Sequence, residues 1–152
     1  MRKELYLGII DRLKTLKDED GTPILKTFDL WNEQVDFIEE EVFDTPAVFI
    51  EFLPIAWVTL GGSVQQADLS LRLHVVTAWK GSEREGSIYQ EQALQRFDLV
   101  ERIADSLFNF TQAHDRGNFC MTRRTGSATN HNHGELVEDI ETFTLRAMWK
   151  CQ

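Results

Sequence analysis

Asp68-Leu-Ser-Leu-Arg-Leu-His-Val75 is the stretch that decides the fold, because its residues alternate strictly between polar and apolar. In an extended chain Leu69, Leu71, Leu73 and Val75 project to one side, and the polar residues between them project to the other. The alternation therefore indicates a strand in a sheet with one buried face and one face that is wet or covered by a partner.

Further strands are predicted on both sides of this stretch. Pro46 opens a segment rich in β-branched and aromatic residues, and the last segment of the chain carries apolar residues at alternate positions. The predicted strands span residues 47–53, 119–125 and 138–150, with a polar loop at 126–134. A second apolar run, ended by a glycine pair, occupies residues 55–62.

Two amphipathic helices are predicted from apolar residues spaced three and four apart. Their apolar stripes consist of Leu5, Ile9, Leu13 and Leu16 in the first helix, and of Leu94, Phe97, Val100, Ile103, Leu107 and Phe110 in the second. Ser87 and Gln90 have the spacing of a capping box, which predicts where the second helix begins.

Residues 24–45 combine features of a strand and of a helix. Residues 27–31 alternate like a strand, whereas the wider spacing of the apolar residues also fits a helical stripe. We favour a short strand, followed by a loop with a helical turn that carries Glu39, Glu40 and Glu41.

The order helix, strands, helix, strand pair predicts an α+β fold. Its short connections favour an antiparallel or mixed β-sheet with both amphipathic helices packed on one face. A length of 152 residues with 42% hydrophobic residues suffices for one core, so residues 1–152 are expected to form a single α+β domain.

The charge balance excludes several functions. Sixteen basic against 25 acidic residues give a net charge of −9, and the clearest basic cluster is only Arg123-Arg124. Tight nucleic-acid binding and adhesion to anionic membranes are therefore disfavoured. No secretion signal and no run of 18 apolar residues occurs, and Cys120 and Cys151 are best interpreted as reduced thiols in a cytoplasmic protein.

The strongest chemical feature is Asn130-His-Asn-His-Gly-Glu135. His131, His133 and Glu135 are reasonable zinc ligands, so a small metal-binding or metal-dependent enzyme domain is the alternative hypothesis. A polar turn is favoured over it, because no further ligand completes a known spacing. Without a nucleophile elbow, a phosphate-binding loop or a calcium loop, we expect no catalytic centre, no cofactor and no metal.

A surplus of apolar surface is the feature that points to a partner. Residues 52–60 are apolar on both alternating faces, and two helices would struggle to cover them. Either the segment folds back into the core or it forms a subunit interface. The candidate interface residues are Phe52, Leu53, Ile55, Trp57, Val58 and Leu60.

The order of elements resembles a known family. An N-terminal amphipathic helix, a proline-initiated strand (Pro46-Ala-Val-Phe-Ile-Glu-Phe) and the long alternating strand are followed by a polar loop, a helix at 93–110 and a late strand ending in Thr142-Phe-Thr-Leu-Arg-Ala-Met-Trp. The chain in this respect resembles the tail-terminator, or tail-completion, proteins of long-tailed phages and prophages, the group that includes the lambda minor tail protein U.

The resemblance implies a structural role in virion assembly. Such proteins form a ring, typically of six copies, that caps the tail tube and joins it to the head. The implied partners are further copies of the chain, tail-tube proteins and head-connector proteins, in the host cytoplasm during assembly and then in the virion tail. A net negative charge suits a lumen through which DNA passes without sticking. A third hypothesis, ligand or peptide binding on the open sheet face, has no convergent polar cluster in its favour.

Overall fold

The computed structural model describes residues 1–37, 42–79, 81–82 and 84–152, which form an α+β fold. The elements within these ranges are α1 (Arg2–Leu13), β1 (Thr27–Leu30), β2 (Ala47–Phe52), β3 (Val58–Gly61), β4 (Val64–Ala78), α2 (Gln90–Leu107), β5 (Thr111–His114), β6 (Gly117–His133) and β7 (Leu136–Lys150). The α+β class predicted from the sequence is confirmed.

The strands form one mixed sheet in the order β1-β2-β4-β7-β6-β5, with β3 paired to the start of β4. The β1–β2 pair is parallel, and every other pairing between the described strands is antiparallel. Gly134, with φ of +54°, lies in the tight turn between β6 and β7, and Gly62, with φ of +55°, lies between β3 and β4. Both glycines adopt the left-handed conformation that such hairpin turns need.

The main core contains the apolar positions that the alternation of β4 predicted. Leu69, Leu71, Leu73 and Val75 are at most 2% exposed, and they belong to one cluster with buried residues of α1 and α2. Burial of each large side chain contributes about 1.5–3 kcal/mol, so this cluster is the main source of stability. We call this side of β4 the leucine face and the opposite side the histidine face.

A second, smaller cluster covers one end of the histidine face. Val35, Phe49 and Val76 are buried in it, and Trp31 and Phe43 pack against them. The short strand predicted near residue 27 is confirmed as β1, whereas the helical turn predicted at Glu39–Glu41 lies outside the described residues. The chain after β1 therefore covers the last part of β4, which is buried on both faces rather than on one.

Three local predictions are wrong. In the apolar stripe predicted for α2, Leu94 and Phe97 are 50% and 46% exposed, because the buried side of the helix passes through Leu99 and Ala104 instead. The capping box does not form, since α2 begins at Gln90 without a side-chain cap, and Gln90 Oε1 instead accepts a hydrogen bond from the Gly86 N–H. The predicted loop at 126–134 is largely strand, because β6 continues to His133 in register with β7. Pairing to a long neighbouring strand outweighs the weak local preference of Ser, Thr and Asn for turns.

Candidate functional site

The first candidate surface is an apolar hairpin formed by β3 and the start of β4. We define the apolar hairpin as residues 57–66, in which Val58 pairs with Gln66 and the turn lies at Gly61-Gly62. Trp57, Val58 and Leu60 are 37%, 62% and 54% exposed. Three large exposed apolar side chains thus occur within four residues at an edge of the sheet. A single exposed apolar residue would need no explanation, but a group indicates a contact surface.

The structure divides the six candidate interface residues into two groups. Phe52 and Ile55 are half-buried and pack against the main core, and Leu53 is half-buried as well. Trp57, Val58 and Leu60 point into solvent. The two possibilities left open by the sequence, burial and exposure, therefore each apply to one half of the segment.

A buried histidine–carboxylate network is the second candidate site. It lies on the histidine face and consists of Glu51, His74, His133 and Glu138. His74 is 4% and Glu138 is 2% exposed. His74 Nδ1 bonds Glu138 Oε1 at 2.5 Å and His74 Nε2 bonds Glu51 Oε2 at 3.0 Å, while the Trp31 ring stacks on the imidazole with centroids 3.8 Å apart.

Glu138 is the centre of this network. Its second oxygen lies 3.0 Å from His133 Nε2 and 3.1 Å from Asn130 Nδ2, and His133 Nδ1 lies 3.3 Å from Asp36 Oδ1. Burial alone would raise the pKa of Glu138. The hydrogen bond and charge of His74, together with hydrogen bonds from His133 and Asn130, lower this pKa by more than burial raises it, so the pKa lies below 4.5. The carboxylate is therefore held in its charged form.

The geometry of the network fits a structural role. A carboxylate accepts but cannot donate, so an imidazole flanked by two carboxylates satisfies both only as the doubly donating imidazolium. His74 meets this description, and Trp31 covers its ring. The network joins four strands and the segment after β1 into one polar cluster.

A separate group of charges lies on the other face of β7. The strand register places Asp139 and Glu141 beside Val75 and Leu73, on the leucine face. Glu141 is 3% exposed, accepts a 2.6 Å bond from Ser127 Oγ and lies 3.3 Å from Arg124 Nη1. Its pKa is nevertheless raised above 4.5, mainly by burial, and the charge of Asp139 adds to this effect.

The residues of the metal hypothesis are not brought together by the fold. His133 belongs to the histidine–carboxylate network, whereas His131 and Glu135 are exposed, at the end of β6 and in the following turn. Among the described residues no three His, Cys, Asp or Glu side chains form a group able to hold a metal ion. Cys120 is half-buried and Cys151 is exposed, each as a free thiol.

A groove between α2 and the adjoining ends of β4 and β7 was not predicted from the sequence. It has a volume of about 850 Å³ and is lined by Trp79, Tyr89, Ala93 and Thr77, among others. Trp79 and Tyr89 are 42% and 39% exposed, and Thr77 is 8% exposed. We call it the α2 groove. The sequence signal that was available is the pair of aromatic residues on either side of the polar loop at 80–86.

The outer edge of β6 is a further open feature of the sheet. β5 pairs only with residues 117–120, so the described strands leave the rest of that edge uncovered. Register shifts interrupt the β6–β7 ladder at three places. Bulges and polar residues protect an open edge against uncontrolled strand addition, which is the simplest interpretation of this edge.

No protein-family model matches the chain, and no curated protein matches its sequence. Among the described residues no helix has the length and apolar character needed to span a membrane.

Proposed function

We propose that the chain is a tail terminator of a long-tailed phage or prophage. In this role it is a non-enzymatic structural subunit that assembles into a ring, caps the tail tube and joins it to the head. The observation that carries the proposal is the apolar hairpin, on which Trp57, Val58 and Leu60 are 37–62% exposed. Apolar side chains grouped at an exposed edge of the sheet favour association with another protein surface.

The fold is compatible with the resemblance on which the proposal rests. The described elements follow the expected order of helix, strands, helix and strands, with a mixed sheet. We also propose that both helices lie on one face of the sheet. The support for this is that buried residues of α1 and α2 share one cluster with the leucine face of β4.

Charge and the buried network support assembly rather than chemistry. A net charge of −9 disfavours adhesion to DNA, which suits a ring that DNA must traverse. The histidine–carboxylate network, which has the residue types of a catalytic centre, is 2–4% exposed at His74 and Glu138 and is covered by Trp31. Its side chains hydrogen-bond to one another across the strands, so they stabilise the sheet.

The first test measures the mass of the assembly. Size-exclusion chromatography with light scattering, followed by negative-stain imaging, is expected to show a ring of several copies of the 17.6 kDa chain. The variant Trp57→Ser/Leu60→Ser is expected to remain folded and to lose the ring. Leu7→Ser is the matched control, since Leu7 is 46% exposed on α1, away from the apolar hairpin.

The second test addresses the function of the ring. In the phage or prophage that encodes the chain, the double hairpin variant is expected to yield headless tails of irregular length in electron micrographs. Normal virions from that variant, or a wild-type chain that stays monomeric at every concentration and salt level, would contradict the proposal.

A further inference from the structure

Two exposed apolar features lie at opposite ends of the long strand β4. The apolar hairpin adjoins Val64, where β4 begins, and the α2 groove adjoins Thr77 and Ala78, where it ends. The hairpin ends at Gln66 and the groove reaches Thr77, so eleven residue steps of about 3.3 Å each separate the two features by roughly 36 Å along β4. The hairpin is an exposed edge of the sheet and the other feature is concave, so a single chain carries both halves of a possible contact but cannot join them within itself.

The charges of the two features match. No Asp, Glu, Lys or Arg occurs between Glu51 and Asp68, so the entire hairpin segment is uncharged in a chain that is 27% charged. The charged residues that line the α2 groove are Asp18, Glu19, Asp98, Lys26, Arg96 and Arg102, three of each sign. In a molecule of net charge −9, this balanced groove is a suitable receptor for an uncharged segment, because docking there leaves no charge unbalanced.

Besides its charged residues, the lining of the α2 groove supplies apolar contacts and a buried hydroxyl group. Trp79, Tyr89 and Ala93 offer apolar surface, and a volume of about 850 Å³ lies within the range of about 300–1,000 Å³ typical of binding pockets. The Thr77 hydroxyl is buried and has no hydrogen-bond partner among the described residues. A buried hydroxyl without a partner is unfavourable, and a docked segment with its own polar groups would supply that partner.

We infer that the apolar hairpin of one copy docks into the α2 groove of the next copy. The contact joins two different surfaces, so it is heterologous: it generates a closed ring if the rotation closes and an open filament if it does not. The inference rests on the self-association in the proposed function and deepens it by naming both surfaces and the polarity of the assembly.

Two complementary variants test this inference. Trp57→Ser/Leu60→Ser removes two large apolar side chains from the hairpin and leaves the groove unchanged. Ala93→Glu places a carboxylate in the groove and leaves the hairpin unchanged. Ala and Glu both favour helices, so α2 is expected to persist. Leu94→Glu is the control, since it adds the same carboxylate one residue further along α2, outside the groove lining.

The expected result is specific to head-to-tail contact. Each of the two variants alone is monomeric in light scattering, with a mass of 17.6 kDa, and the control assembles like the wild type. An equal mixture of the two variants forms a 1:1 dimer, because the intact hairpin of Ala93→Glu can dock into the intact groove of the hairpin variant and no further contact is possible. Hairpin-to-hairpin contact would instead leave Ala93→Glu fully assembled, and a mixture that stays monomeric would likewise overturn the inference.

A cross-linking experiment gives an independent answer if Ala93→Glu fails to fold. Thr59→Cys in the hairpin and Gln92→Cys in the groove are made in separate, differently tagged chains, both with Cys120→Ser and Cys151→Ser. Oxidation of the mixture is expected to join the two tags, and absence of that product in an assembled sample contradicts the contact.

The outcomes separate the two proposals. If the wild type forms a ring and Ala93→Glu forms the same ring, this contact is refuted but the tail-terminator function is not. An open filament from wild-type chain, dissociated by both variants, supports the contact but refutes a closed terminating ring.

Discussion

Replacing Glu138 by Gln removes the negative charge that His74 and His133 both face, and we expect it to lower the free energy of unfolding at pH 7. The substitution keeps the size of the side chain and leaves one oxygen to accept a hydrogen bond. The position is 2% exposed, so water cannot replace what is lost.

The expected magnitude follows from the contacts of Glu138. Bonds from the two histidines to the carboxylate measure 2.5 and 3.0 Å. A hydrogen bond to a charged group contributes about 1.5–3 kcal/mol, against about 1 kcal/mol for a neutral one, and the new amide group also turns a donor toward other donors. The loss is therefore about 2–4 kcal/mol, or roughly 5–15 °C in the midpoint of thermal unfolding for a chain of this length.

The pH dependence carries a definite sign. The pKa of Glu138 is lowered below 4.5 in the folded state, so its contribution is fully present above pH 4.5 and is lost as the pH falls through the folded pKa. Denaturant unfolding, followed by tryptophan fluorescence and circular dichroism, should show Glu138→Gln to be less stable than wild type at pH 7 and at pH 5. The difference should narrow below pH 4.5.

Glu141→Gln is the matched control on the same strand. The pKa of Glu141 is raised above 4.5, chiefly by burial, so this carboxylate favours folding at low pH and the benefit is lost as the pH rises through the folded pKa. At pH 7 its replacement by Gln is expected to be neutral or stabilising. Equal destabilisation by both substitutions, or a Glu138→Gln protein as stable as wild type at pH 7, would refute the reasoning.

The remaining predictions concern backbone packing and the metal hypothesis. Gly117→Ala is expected to destabilise the fold by about 2 kcal/mol or more, because the added Cβ would overlap the Met148 carbonyl oxygen. Gly126→Ala, on the same strand, is the control, since its Cβ would meet only ordinary contacts at 3.7 Å. Denaturant unfolding compares the two variants, and equal stability would contradict the packing. His133→Ala is expected to cost about 1–3 kcal/mol through its lost bonds to Glu138, and His131→Ala less than about 0.5 kcal/mol, in the same assay. Zinc that raises the unfolding midpoint of wild type but not of His131→Ala would restore the metal-binding alternative.

Much of the candidate site was hidden from the sequence because it depends on distant residues. His74 and Glu138 lie 64 residues apart, and only the antiparallel register of β4 and β7 brings them together. The α2 groove is assembled from the segment after α1, the ends of β4 and β7, and α2. The apolar segment at residues 52–60 could be predicted because its signal is local. It is a run of apolar, uncharged residues that can be recognised in the sequence without knowledge of the elements packed beside it.

The sequence by itself determined the α+β class, the leucine face of β4 and the buried side of α1, whereas the stripe predicted for α2 was right only at Val100, Ile103 and Leu107. These follow from the period of the apolar residues, which is set by backbone geometry and needs no knowledge of the partner. Only the tertiary structure decided that β6 stays extended to His133, that the histidine face is partly buried, and which half of residues 52–60 is exposed. Each of these depends on what packs alongside, since the free energy of burial and of strand pairing belongs to pairs of elements rather than to either sequence.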